Sequence, residues 1–156
     1  MRALLVCLFL ALGVVVPEVA FAGGKSGGDS RPASGRARIT VNVVHATDSE
    51  SGVDPRLASL ASQFKYLKYK GYRLLSTQSA DLAPGGDKDF SIEGGRTLRV
   101  SLVSKDEVHA RVRVEIDGKR GKLIDTTVKI NRDGTFIVAG PQYKDGILIL
   151  PLRASY

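Results

Sequence analysis

The cleanest periodic pattern in the chain is an alternation in which Val108, Ala110, Val112, Val114 and Ile116 stand between His109, Arg111, Arg113 and Glu115. Period two sends successive side chains to opposite faces of a strand, so the first set predicts a buried face and the second a wet one. The same reading applies elsewhere: Ile39, Val41 and Val43 alternate with Thr40, Asn42 and Val44, and Tyr72–Thr77 and Asp89–Glu93 predict shorter strands. Leu98, Val100 and Leu102 form the inward side of another strand. Leu123–Asn131 puts Ile124, Thr126, Val128 and Ile130 on one side, and Thr135–Ala139 follows. Ile147–Leu152 is almost unbroken in its apolarity, as in a strand covered on both faces. Pro151 has no N–H for a ladder and argues for an end or edge position there.

One segment has a different period. Asp54-Pro55 is a helix start, because Asp caps free backbone N–H groups and Pro fits the first helical position. Leu57, Leu60, Ala61, Phe64 and Leu67 then recur at spacings of three and four, one apolar stripe that must lie on a sheet, with Gly71 at its end. Polar loops are expected at His45–Val53 and at Ala80–Lys88, which contains Pro84-Gly85-Gly86. Gly94-Gly95, Asp117-Gly118, Asp133-Gly134 and Lys144-Asp145-Gly146 predict tight turns, and strands joined so closely pair antiparallel. The expected fold is mainly β: about eight antiparallel strands in a β-sandwich-like arrangement, with one α-helix packed on the sheet.

The first residues obey another logic. Arg2 gives a positive start, Ala3–Val16 an apolar run and Ala20-Phe21-Ala22 a small-residue cleavage pattern, so residues 1–22 read as a secretory signal peptide. The run of about 14 residues is shorter than the roughly 20 a membrane helix needs, and Pro17-Glu18 closes it. Residues 23–36, GGKSGGDSRPASGR, read as a flexible Gly/Ser-rich tether, leaving 37–156 as a single domain. The mature chain then has no transmembrane helix. Cleavage removes one base, Arg2, and one acid, Glu18, so the formal charge of +7 is kept. The one cysteine, Cys7, falls in the leader, and a domain without thiols is held by its own core. An exported domain of this size without disulfides fits a bacterial envelope, with a periplasmic or cell-surface location.

At 156 residues, 43% hydrophobic and 25% charged, the composition is that of a folded domain. The inventory for chemistry is thin. His45 and His109 belong to no paired metal motif, so no metal and no cofactor are expected. There is no Gly-x-Ser-x-Gly elbow, and Gly94-Gly95-Arg96-Thr97 precedes a strand where a phosphate loop would open a helix. Asp48, Glu50 and Asp54 near the helix start, and Asp87, Asp89 and Glu93 near a loop, leave room for a hidden carboxylate pair, although acids in turns mostly cap amides. No catalytic residue is assigned.

Positive charge supplies the candidate sites. Lys65, Tyr66, Lys68, Tyr69, Lys70, Tyr72 and Arg73 interleave cations with rings, a pattern that suits gripping anions and stacking on planar groups; packed inward, the same rings would leave only a solvated face. Arg99, Arg111 and Arg113, with Lys129, would share a polar sheet face as a positive stripe. The expectation is a non-enzymatic exported interaction domain with a protein partner in an envelope assembly, using sheet edges and the basic face. The alternative is direct binding of an anionic envelope polymer or lipid headgroup through the basic and aromatic residues. Nucleic acid is not an expected partner of an exported chain, despite a pI near 9.7.

Overall fold

The computed structural model describes residues 35–156. The predicted leader, and the predicted tether up to residue 34, lie outside the described residues. Nine strands follow: β1 Ala37–Thr47, β2 Gly52–Val53, β3 Gly71–Leu82, β4 Asp87–Ile92, β5 Arg96–Lys105, β6 His109–Gly118, β7 Gly121–Asn131, β8 Thr135–Tyr143 and β9 Gly146–Ser155. They form a five-stranded sheet in the order β2-β3-β1-β9-β8 and a four-stranded meander, β4-β5-β6-β7. Every pair is antiparallel except the short β2–β3 contact.

The alternation drives the two sheets together. Ile39, Val41, Val43, Leu148, Leu150 and Leu152 from the larger sheet meet Leu98, Val100, Leu102, Val112, Val114 and Ile116 from the smaller in one buried cluster. The expected sandwich is therefore present. Central strands β1 and β9 are covered on their other side as well, where Val44, Ala46 and Ile149 lie under the helical segment. This double burial explains the unbroken apolar run of β9.

The helical segment begins where expected, with Asp54 Oδ1 accepting from Arg56 N at 3.0 Å and Pro55 at the first position. It is shorter than the stripe predicts: a 3-10 stretch, Pro55–Leu60, runs into a single α-helical turn, α1, Ala61–Phe64. The Phe64 carbonyl explains the stop. It accepts from Leu67 N at 2.9 Å and from the Tyr72 hydroxyl at 3.2 Å, so its place in a continuing helical ladder is taken. The Phe64 and Tyr72 rings also stack, with centroids 4.6 Å apart and planes 7° from parallel. Gly71 accordingly ends no helix. A Cβ there would come within 2.6 Å of the Glu50 carbonyl oxygen, and its absence lets the β2 loop lie against β3.

Four further expectations are corrected. His45 belongs to β1 and is buried, because the strand runs on to Thr47. Val108 lies just before β6 and is 58% exposed, in a turn where Asp106 Oδ1 accepts from the N–H groups of Val108 and His109. Asp133-Gly134 makes no hairpin: β7 and β8 lie in different sheets, and this turn carries the chain from one to the other, with Asp133 at φ 56°. Pro151 sits in an interior strand, between β1 and β8. The β1–β9 ladder pairs Val41 with Leu152 and resumes at Val44 with Ile149, so it skips the stretch where the proline would owe a hydrogen bond.

Truncating Phe64 to Ala removes the ring that fastens α1 to both the larger sheet and Tyr72. It should cost about 3–5 kcal/mol in urea unfolding, whereas Tyr66→Ala, two residues on and 89% exposed, should stay within about 0.5 kcal/mol.

Candidate functional site

The connection from α1 to β3, residues 65–70, lies on the outer face of the larger sheet. Leu67 and Tyr69 turn inward against the cluster around Phe64 and Tyr72. Lys65, Tyr66, Lys68 and Lys70 turn outward and are exposed. Tyr66 is the most exposed large hydrophobic residue described, at 89%. Among the described residues these three lysines have no carboxylate partner. Tyr72 does not belong to this surface: its ring is in the core, and burial raises its hydroxyl pKa. Arg73 is exposed but tied to Glu50.

The acids that left room for a carboxylate pair turn out to pin this connection in place. Asp48 Oδ1 accepts from Lys70 N at 3.2 Å, Glu50 holds Arg73, and Asp54 holds Arg56 through both oxygens, at 3.0 and 2.7 Å. The side-chain hydrogen bond from Arg56 keeps the Asp54 carboxyl far below the ordinary carboxylate range. Between these groups runs an open groove of about 290 Å³, lined by Thr47, Glu50, Asp54, Tyr72 and Arg73. Both of its carboxylates are thus occupied by arginines.

The second candidate group lies on the opposite side of the sandwich. Arg99, Arg111 and Arg113 stand on the outer face of the smaller sheet, so the structure does not join them with Lys65–Lys70 into one surface. Nor do they form a positive stripe. Arg99 binds Asp89 in bidentate fashion at 2.7 and 2.8 Å, with Asp87 at 3.8 Å. Arg113 binds Asp125 at 2.9 and 2.7 Å, and Lys122 bridges Glu115 and Asp125. The hydrogen bonds from Arg113, then Lys122, push the Asp125 carboxyl well down, and the hydrogen bonds Arg99 donates to Asp89 push the Arg99 guanidinium up. Cross-strand register creates this lattice, with Asp89, Arg99, Glu115 and Asp125 forming one row across all four strands. Arg111 is different: it stands opposite Lys129, and among the described residues neither makes a hydrogen bond or salt bridge to a carboxylate, although Lys129 is one of the charges that lower the Asp106 carboxyl.

A third polar cluster was only partly visible in the sequence. His45 Nε2 lies 3.4 Å from Asp145 Oδ1, its ring meets Tyr143 edge-on at 5.4 Å, and the Thr47 hydroxyl donates to Asp145 Oδ2 at 2.6 Å. The Ser49 hydroxyl, then that of Thr47, lowers the Asp145 carboxyl from 3.8 to about 2. The acidic neighbour of His45 comes from a turn a hundred residues away. Among the described residues no three His, Asp or Glu side chains converge as metal ligands would, and no helix is long and apolar enough to cross a membrane. No protein-family model, curated protein or solved structure matches the chain.

The depressed Asp145 carboxyl carries a definite sign. A folded-state pKa below the unfolded value stabilises the fold above the ordinary carboxylate range, and that contribution is lost as pH falls through about 2. Asp145→Asn should therefore lower the urea midpoint at pH 6 and flatten its decline between pH 4 and pH 2, relative to the unsubstituted protein.

Proposed function

We propose that this chain is a non-enzymatic interaction domain, exported to the periplasm or cell surface, where it belongs to an envelope assembly and meets a protein partner through the Lys65–Lys70 segment. The observation that carries the reading is an almost fully exposed tyrosine among three lysines without carboxylate partners among the described residues, while Arg73, Arg99 and Arg113 are all neutralised. Unpaired cations beside an exposed ring suit an acidic partner: the charges steer the encounter and the ring supplies contact area. The segment is also held firmly, since Asp48, Glu50 and Asp54 fix both its end and the start of β3. A surface held this way loses little freedom on binding.

A second reading keeps the segment and replaces the protein by an anionic polymer or lipid headgroup. It is favoured by the inward turn of Leu67 and Tyr69, which leaves Tyr66 without an exposed apolar neighbour on the segment.

The test is capture from envelope extract by the protein starting at Gly23, compared with a Lys65→Glu, Lys68→Glu, Lys70→Glu variant. Loss of the captured protein in the variant supports the first reading, and capture as before sinks it. For the second, binding to anionic-lipid vesicles should fall roughly a hundredfold in the variant, at about 1 kcal/mol per lysine. It should also weaken steeply with added salt. Arg153→Glu, on another strand, should change neither result.

A further inference from the structure

The outer edge of β7 has no strand beside it in its sheet. We propose that a second copy of this chain pairs there, β7 against β7 and antiparallel about a two-fold axis at Thr127, joining two four-stranded sheets into one of eight strands.

The other edges are closed to such pairing. β8 carries Pro141 and a register shift between Ala139 and Gln142. The start of β3 is covered by β2, the Leu74 carbonyl accepts from Arg56, and Gln78 spans to the Ser91 carbonyl of β4. β4 has six residues, and antiparallel self-pairing centred on Asp89 or on Lys88 opposes aspartates to each other. β7 has eleven residues and no proline, with β-branched side chains at Ile124, Thr126, Thr127, Val128 and Ile130. Its register shift against β6 falls at Leu123, near the start, so Ile124–Asn131 remains a regular run along the open edge, where another strand can pair.

Charge then selects the register. With Thr127 opposite Thr127 of the second copy, Asp125 of each chain faces Lys129 of the other, Ile124 faces Ile130, and Thr126 faces Val128. Within one chain, Lys129 stands beside Arg111 and makes no carboxylate hydrogen bond or salt bridge among the described residues, though it helps lower the Asp106 carboxyl, while Asp125 stands beside Glu115 two rows on, beyond the Arg113–Thr127 row. Pairing places Lys129 of each copy against Asp125 of the other, a carboxylate that already accepts from Arg113 and Lys122 of its own chain. The row then reads Arg111, Lys129, and from the second copy Asp125, Glu115, Arg99, Asp89. The ion lattice of one sheet continues into the next, and because the same patch serves both copies the assembly closes at two.

Sedimentation equilibrium of the protein should give twice the chain mass. Lys129→Glu, which sets Glu against Asp125 of the second copy twice over, should raise the dimer dissociation constant by at least about tenfold. Lys119→Glu, in the β6–β7 turn, should leave it unchanged. In a Cys7→Ser background, Thr127→Cys places two thiols opposite each other on the axis and should give a covalent dimer on oxidation, whereas Ser91→Cys on β4 should not. A single-chain mass throughout the accessible concentration range overturns the proposal. So does a dimer that forms no Thr127→Cys cross-link, or that cross-links equally through Ser91→Cys.

Discussion

The apolar layer between the two sheets governs the rest of the molecule. Its residues come from eight of the nine strands. At roughly 25 cal/mol for each Å² of apolar surface removed from water, burial of this kind is the dominant favourable contribution to folding. A chain whose only cysteine lies at position 7, outside the described domain, has no disulfide to share that task. The layer also dictates what the surface can be. Each strand that sends an apolar residue inward sends its neighbour outward, so the outer faces inherit a fixed grid of positions. On the smaller sheet the grid holds interlocked charges; on the larger, the middle of the grid is apolar and needs the helical segment as a cover.

Periodicity made the strands and the two-layer arrangement legible, because a period of two survives without knowledge of partners. Partners themselves were not legible. Asp133-Gly134 has the local chemistry of a hairpin turn, yet the chain uses it to change sheets, since strand pairing depends on residues far away. Pro151 follows the same logic: whether a missing N–H matters depends on the strand opposite, and there the ladder skips. The length of the helix was set by Tyr72, eight residues beyond Phe64, and no propensity argument contains that hydroxyl. Val108 fitted the alternation but fell in a turn held by Asp106.

The candidate site was legible in part. Exposure of Lys65, Tyr66, Lys68 and Lys70 follows the interleaved pattern, but the inward turn of Tyr72 and the neutralisation of Arg73, Arg99 and Arg113 required the register. Asp48, Glu50, Asp54, Asp87 and Asp89 are committed to arginines or backbone amides, whereas Glu93 Oε2 is buried without a hydrogen-bond partner. Asp145 could have been suspected only from its place in a turn beside a strand end, whereas Lys129 was legible on the polar face of its strand.

The course of β1 sets an orientation for the whole domain. Its first residue, Ala37, pairs with Leu82, and its last, Thr47, with Gly71, next to the lysine-bearing connection. Ten steps of about 3.3 Å along β1 separate the two ends by roughly 33 Å. The end of β1 that borders the lysine-bearing connection is thus the one opposite Ala37.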